Sequence, residues 1–303
     1  MPLPLVRRWR AVVFKVNATL LLGGILSILL MGCALAAPWL APHDPNETLF
    51  RYNGTTLLPA PYPPGTAGMP LGSDSLWRDM WSRLLYGGRF TLLFCWVAAL
   101  VRITLGTLVG LFAGWYGRVA RVVDVIVGAW SAVPSLLFAL VVITLGNTPG
   151  VLSGSLPRFL LIISLTGWTE AAVRCRIAVQ GLRSEPFIEA AYAIGRGRLA
   201  VLFRHILPNL RDLLLVEIAY AGAAVLLLVG ELAFLGIFVG ATESMVVKGQ
   251  LVDDPLYAEW GSMLAAGLRH RNSGVWLLLE PVIAFTLAIL SFNLLADGLR
   301  RRR

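Results

Sequence analysis

Long apolar stretches alternate with polar connections along the 303 residues of the chain. A single helical crossing of a hydrocarbon layer about 30 Å thick takes about 20 residues. Six stretches reach that length, at residues 16–41, 90–114, 122–146, 155–173, 213–239 and 275–296. The pattern predicts an all-α, polytopic membrane protein with six transmembrane helices.

The composition agrees with lipid as the surrounding solvent. The chain is 57% apolar and 14% charged, whereas typical soluble domains are about 45–50% apolar and about 25% charged. Little room is left for a separate soluble catalytic domain.

The positive charge is best explained by topology. Of 26 basic residues, 17 fall in cytoplasmic segments and eight in outer segments when the N-terminus is placed inside. Since basic residues near helix ends stay cytoplasmic, both termini are predicted to be cytoplasmic. The basic loops lack interleaved aromatic residues, which argues against nucleic-acid binding despite the net charge of +9.

The first apolar stretch has a second interpretation. LMGC at 30–33 is similar to a lipoprotein processing box, and ALA at 34–36 to a signal-peptidase site. A signal peptide has an apolar core of about 7–15 residues, but here apolarity continues through Trp39 and Leu40. We therefore expect this stretch to be kept as a transmembrane helix.

Three segments follow from the apolar pattern. Residues 1–41 form a cytoplasmic N-terminus and the first span, residues 42–89 an extracytoplasmic loop, and residues 90–303 a five-helix core with a cytoplasmic connection at 176–212. The outer loop is predicted to end in an interfacial helix, because apolar residues recur there at helical spacing. These are Leu76, Trp77, Met80, Trp81, Leu84 and Leu85.

Several classes of site are not expected. The only lysines, Lys15 and Lys248, do not end a phosphate-binding GxxxxGK[ST] loop. The histidines lie in separate connections and form no metal-binding or catalytic cluster; they are His43, His205 and His270. We predict no catalytic residue, no metal site and no cofactor bound by this chain.

Two features stand out within the second span. Gly106, Gly110 and Gly114 recur every four residues on one helix face, which favours close helix packing. Arg102 lies a turn earlier. An ionisable residue at such depth faces a bundle interior, a polar partner or a water-filled path. Arg102 is therefore a candidate pathway residue, a counter-charge for a carboxylate, or else a structural or snorkelling residue.

The connection at 176–212 is predicted to form two short helices. Ser184 would cap the first, Gly195 and Gly197 would break the run, and Pro208 would turn the chain into the next span. Its apolar side would lie open to water, which indicates a soluble partner. That side consists of Ala190, Ala191, Ile194, Leu202 and Phe203.

The same connection resembles a known family. Glu189, Ala190 and Ala191, then Gly195, then Ile206-Leu-Pro, resemble the EAA motif in the integral-membrane subunits of bacterial ABC importers. RHILPN at 204–209 is closest to the dipeptide, oligopeptide and nickel branch. Further segments are similar to that branch in its order: MPLGSDSLWRDMWSRLLYGGRFTLL (69–93), TGWTEAAVRCR (166–176), ELAFLG (231–236), EWGSML (259–264) and FNLLADGLR (292–300).

The resemblance implies a type I ABC importer permease fold in the bacterial cytoplasmic membrane. SRLLYG, the extended outer loop and the DGLR ending resemble the C-type permease, which would pair with a B-type permease. Two cytoplasmic ATPases, which use ATP and Mg, and an external substrate-binding protein would complete the complex. The residues implied to contact an ATPase are Glu189, Ala190, Ala191, Gly195, Ile206, Leu207 and Pro208.

The implied cargo is peptides, with nickel or other small solutes as the alternative. A secondary transporter is a further alternative, but the chain shows no internal repeat of the kind common there. A membrane enzyme would need a buried nucleophile, base or metal set. The chain departs from the branch pattern at Met69, at Trp77 and in a longer outer connection at 240–258.

Overall fold

The computed structural model describes residues 17–145, 156–239, 242–247, 250–255 and 257–301. Several of the basic residues used to predict the topology lie outside these ranges. They are Arg7, Arg8, Arg10, Lys15, Lys248, Arg302 and Arg303. Parts of the outer connection at 240–258 also lie outside them.

The described residues are mainly helical. The helices are α1 (Ala18–Leu35), α2 (Ala37–Leu40), α3 (Met80–Trp115), α4 (Gly117–Ser131), α5 (Ser135–Leu145), α6 (Leu156–Leu165), α7 (Trp168–Arg183), α8 (Pro186–Ala193), α9 (Arg198–Val201), a π-helical turn (Leu202–Ile206), α10 (Leu207–Asn209), α11 (Arg211–Phe234), α12 (Trp260–Arg269) and α13 (Trp276–Arg300). Two antiparallel hairpins join β1 (Tyr52–Asn53) to β2 (Thr56–Leu57) and β3 (Thr242–Val247) to β4 (Gln250–Pro255).

Four of the described helices, α1, α3, α11 and α13, are long and apolar enough to cross a membrane. Two further spans are broken: α4 and α5 meet at 79°, and α6 and α7 meet at 44°. The all-α, polytopic architecture is confirmed, and six crossings result if each bent pair crosses once. The bends themselves were not predicted.

Helix α3 packs against α7 at unusually short range. A Cβ on Gly106 would lie 2.5 Å from the Cβ of Ala171, and one on Gly110 would lie 2.6 Å from the carbonyl oxygen of Ala172. Neither position has room for a side chain. The predicted glycine face therefore brings the two backbones together, as small residues do between membrane helices.

The separate interfacial helix predicted before residue 90 is wrong. Helix α3 begins at Met80 and continues to Trp115, so residues 80–89 are the first turns of the second span. The carboxylate of Asp79 caps this helix by accepting the Ser82 backbone N–H at 2.9 Å. Leu76 and Trp77 are also buried, and Trp77 packs against Tyr62 and Met69 of the outer loop.

A buried ionic group ties the outer loop to the start of α3. The Asp74 carboxylate accepts the backbone N–H groups of Leu76 and Arg78, each at 2.9 Å, and Nε of Arg78 at 2.7 Å. Nε of Arg83 lies 3.5 Å from the same carboxylate. Buried carboxylates are tolerated where hydrogen bonds and a cation compensate for lost hydration.

Trp77 has a left-handed backbone, with φ of 59°. In this conformation a residue with a side chain is strained by about 1–2 kcal/mol, whereas glycine is not. Trp77 compensates through burial: its indole N–H donates to the Leu58 carbonyl at 3.0 Å, and its ring lies 5.2 Å from that of Phe50. The departure from the branch's usual glycine therefore has a local physical reason.

The α3–α7 contact yields a stability prediction. We expect Gly110→Ala to lower the stability of the purified chain by about 1–3 kcal/mol, because the new methyl group overpacks a tight contact. Gly128→Ala is the matched control, since nothing lies within 4 Å of a Cβ there. Thermal unfolding in detergent measures both. Equal melting temperatures for the two variants would contradict the close approach.

Candidate functional site

The EAA segment, defined here as residues 184–210, turns sharply at Gly195. Its first helix, α8, ends where Gly195 takes φ of +80°. The Gly195 N–H donates to the Tyr192 carbonyl at 2.8 Å, and the Arg196 N–H donates to the Ala191 carbonyl at 3.1 Å. This is the Schellman arrangement, in which a left-handed residue closes a helix. The prediction that Gly195 breaks the run is confirmed.

The start of α8 differs from the prediction. Glu185 occupies the N-cap position with no side-chain hydrogen bond, and Pro186 begins the helix. Ser184 instead closes α7, and its hydroxyl donates to the Gly181 carbonyl at 3.0 Å. Because α8 begins at Pro186, its N-cap position falls on Glu185, one residue after Ser184.

One face of the EAA segment packs on the ends of α3 and α7. Ile188, Ala191, Val201, Leu202 and Ile206 are buried in a cluster that also contains the following residues of those two helices: Leu111, Trp115, Cys175 and Val179. Both Leu202 and Ile206 are fully buried at the two ends of the π-helical turn. The segment is therefore anchored to the transmembrane bundle by its apolar face.

This packing divides the predicted contact residues into two groups. Glu189, Ala190, Gly195 and Pro208 are exposed, and Leu207 is half-buried. Ala191 and Ile206 are only 3% and 0% exposed. Their burial argues against a direct contact of these two residues with a partner. The expectation that Leu202 lies open to water is wrong, because Leu202 is fully buried. All three hold the segment in place instead.

The EAA segment also carries exposed apolar residues, of which only some were predicted. Ile194 is 73% exposed, and Phe203 also remains exposed, as expected. Phe187, Tyr192 and Leu199 were not identified but are exposed as well. Phe187, Ala190 and Ile194 follow the i, i+3, i+7 spacing of one helix face, which is the signal that could have revealed Phe187.

The π-helical turn (Leu202–Ile206) precedes Pro208 in α10. Proline cannot donate the backbone hydrogen bond that an α-helix requires at its position. The Asn209 side chain donates to the His205 carbonyl at 2.6 Å within this irregular stretch. π-Helical turns are concentrated at functional sites.

Arg102 lies in the interior of the bundle at the bend between α6 and α7. Its Nε and Nη2 donate to the Ile163 carbonyl at 2.9 and 2.7 Å, and Nη2 also donates to the Thr166 hydroxyl. The residue is only 4% exposed. The hypothesis that Arg102 supplies a counter-charge in the pathway is not supported by this geometry, because the guanidinium is buried against the broken helix.

The two broken spans meet at their breaks. The indole N–H of Trp130, near the end of α4, donates to the Leu165 carbonyl at the end of α6, at 3.1 Å. The hydroxyls of Ser131 and Thr169 lie 3.4 Å apart. The Trp130 ring also lies 6.0 Å from that of Trp168 at the start of α7.

Known families match this chain over most of its length. Residues 106–302 match the family described as binding-protein-dependent transport system inner membrane component. The chain belongs to that family. Residues 4–62 match a second family, the N-terminal TM domain of oligopeptide transport permease C. The resemblance stated from the motifs is confirmed: the chain is a permease of the inner membrane.

Curated relatives resemble the permease along nearly its whole length. The di/tripeptide transport system permease protein DppC of Pseudomonas aeruginosa is 31% identical over 99% of this chain and 91% of the relative. The dipeptide transport system permease proteins DppC of Haemophilus influenzae and Escherichia coli K12 are each 30% identical over 95% of this chain, and over 90% and 89% of the relatives.

The Gly195 turn yields a test with an internal control. Gly195→Ser should loosen the EAA segment, because serine is strained at positive φ. Gly197→Ser should not, since Gly197 has φ of −71° and serine is favoured at that N-cap position. Nothing lies within 4 Å of a Cβ at either glycine, so the comparison isolates backbone conformation.

Limited trypsin digestion of the purified permease measures this effect, because Arg196 and Arg198 directly follow the Gly195 turn. We expect Gly195→Ser to be cleaved there faster than the wild type, and Gly197→Ser at the wild-type rate. Equal cleavage of both variants would mean that the left-handed turn does not hold the segment.

Proposed function

We propose that the permease forms half of the translocation pathway of an ATP-driven peptide importer, and that its EAA segment receives the motion of a cytoplasmic ATPase. The observation that carries this proposal is the two-sided EAA segment. Its buried face is fixed to α3 and α7, while its other face presents exposed apolar residues. Peptides are the cargo named for the relatives, which supports the same cargo here.

The exposed face is suited to a protein partner. Phe187, Tyr192, Ile194, Leu199 and Phe203 are each at least 39% exposed. Several large apolar side chains exposed to water on one short segment are uncommon unless another protein covers them. A groove on the ATPase would bury these residues and thereby connect its movement to the transmembrane bundle.

Charge next to the apolar face adds specificity to this contact. Glu189 borders a cleft of about 480 Å³ that Arg183 and Arg198 also line. Arg183 is held in place over the Trp115 ring, at 5.5 Å from its centre. Cation–π contacts of this kind fix a guanidinium without neutralising it. The cleft would accept a polar side chain from the partner.

The arrangement of helix ends supports cytoplasmic termini. The Asn17 side chain donates to the Gly298 carbonyl at 3.1 Å, so the two ends of the described chain are neighbours. The Tyr220 hydroxyl in the first half of α11 donates to Asp297 near the end of α13, at 2.6 Å. Since α11 follows the EAA segment directly, the chain ends and that segment share one side of the bundle.

In this account the chain binds no nucleotide and catalyses no reaction. A B-type permease supplies the other half of the pathway, two ATPases bind and hydrolyse ATP with Mg, and an external binding protein delivers the peptide. Closing of the ATPases moves the EAA segment, and the spans joined to it open outward. Such alternating access requires an element with two discrete positions.

Copurification tests the proposal. We expect Ile194→Asp to remove the ATPases from the affinity-purified, tagged complex, because it places a charge at the most exposed of these apolar residues. Val275→Asp is the matched control, since Val275 is 62% exposed and lies at the N-cap of α13, outside the EAA segment. Mass spectrometry of each preparation identifies the retained subunits.

The wild type and Val275→Asp should retain a second permease and the ATPases, and Ile194→Asp should retain only the second permease. If Ile194→Asp keeps the ATPases, the exposed face is not the contact. If the wild type purifies alone, the importer assembly itself is contradicted.

A further inference from the structure

The meeting point of the two broken spans is open on one side. Residues 131–135, which join α4 to α5, are all exposed. Across the junction, Glu170 in the first turn of α7 is also exposed, and its side chain has 74% of its surface accessible. An irregular backbone and a carboxylate are therefore both exposed at this junction.

This junction lies at membrane depth. The C-terminal ends of α3 and α7 lie at the same height in the bundle, because Nη1 of Arg183 donates to the Trp115 carbonyl at 3.3 Å. From there α4 rises through 15 residues and α7 through 16 residues, each about 22–24 Å long at 1.5 Å per residue. The breaks therefore fall inside a hydrocarbon layer about 30 Å thick.

Lipid cannot cover such a junction at low cost. Non-helical backbone at membrane depth is tolerated only where it is buried in protein or lines a water-filled cavity. Ionisable residues within spans follow the same rule. In transporters, interrupted helices commonly surround the substrate near the middle of the membrane.

The charges at this junction have a defined arrangement. Nη2 of Arg174 contacts the Glu170 carboxylate at 2.8 Å, and Nη1 of the same residue contacts Glu217 at 3.1 Å. One guanidinium thus serves two carboxylates. Glu217 has only 9% of its side-chain surface accessible, so Glu170 is the carboxylate that a passing solute can reach.

We propose that the junction of the two broken spans lines the peptide pathway and that Glu170 binds the positively charged amino terminus of the passing peptide. This inference rests on the proposed function, since it assigns the substrate contact within that pathway. Arg174 positions the Glu170 carboxylate, and Glu217 holds Arg174 from the buried side. Ser131 and the backbone around Pro134 provide the polar wall opposite.

Cysteine labelling in membrane vesicles that contain the whole complex tests the site without transport. A water-soluble cationic methanethiosulfonate should modify Ser131→Cys about tenfold faster than Ile28→Cys, because thiolates form in water and not in lipid. Ile28 is 75% exposed on the apolar helix α1. Cys33→Ala serves as the background, because Cys95 and Cys175 are buried.

The same labelling measures the effect of the Glu170 charge on the site. Ser131→Cys should react faster with the cationic reagent than with its anionic counterpart, and Glu170→Gln should reduce that preference. Equal rates for Ser131→Cys and Ile28→Cys would overturn the pathway assignment. A preference that Glu170→Gln leaves unchanged would overturn the role of Glu170.

Uptake of labelled trialanine into reconstituted proteoliposomes adds the substrate. Glu170→Gln should slow uptake roughly twofold to fivefold, the strength of a solvent-exposed ion pair, while ATP hydrolysis continues. N-acetylated trialanine, which lacks the charge, should not be slowed further by the substitution. Asp212→Asn is the control, since Asp212 is an exposed carboxylate paired with Arg211 in the first turn of α11.

The two failures are distinguishable. If wild-type complexes take up neither peptide, the proposed peptide cargo is contradicted, and the labelling still decides whether the junction is a water-filled, cation-selective site. If the wild type takes up trialanine and Glu170→Gln matches it, the proposed role of Glu170 is overturned while the importer function stands.

Discussion

The close approach of α3 and α7 is the constraint on which the rest of the permease depends. Gly106 and Gly110 leave no space for a side chain, so the two backbones lie in direct contact. Within a membrane, helices gain little from hydrophobic burial and associate through such close packing. The pair therefore forms a stiff column that fixes what lies at each of its ends.

At one end of this column, Arg102 of α3 reaches the Ile163 carbonyl at the break that precedes α7. At the other end, Leu111 and Trp115 of α3 join Val179 of α7 in the cluster that anchors the EAA segment. The same two helices thus position the break in the spans and the surface offered to an ATPase. A displacement of the EAA segment would be carried along the column to the break.

Local signals made much of this architecture predictable. Hydropathy located the spans, the four-residue glycine spacing predicted close packing on one face of α3 without naming its partner, and Gly195 marked a turn that requires positive φ. The bends were harder to predict. Pro134 is a possible helix breaker, but the apolar run continues on both sides of it and gives no sign of a bend. The bend at Thr166 and Gly167 depends on Arg102, more than 60 positions earlier in the chain.

The face of a short helix was also hard to assign from its sequence. Ala191 and Ile206 belong to the motif that resembles the ATPase contact, yet they pack inward because α3 and α7 meet the segment on that side. Trp77 shows a similar long-range effect, since its strained backbone is compensated by Leu58 and Phe50 of the outer loop.

The central claim is that the EAA segment and the α3–α7 column move as one body. The most direct measurement is the distance between spin labels at Ala200→Cys and Val173→Cys, in the assembled complex, without nucleotide and with ATP trapped. Both positions are exposed, and neither belongs to the proposed ATPase contact. The account predicts that this distance changes by less than about 2 Å, the scale of a small helix shift, while the distance from Val173→Cys to the second permease changes by more. A larger change between Ala200→Cys and Val173→Cys would show that the segment moves independently of α7, and would contradict the account.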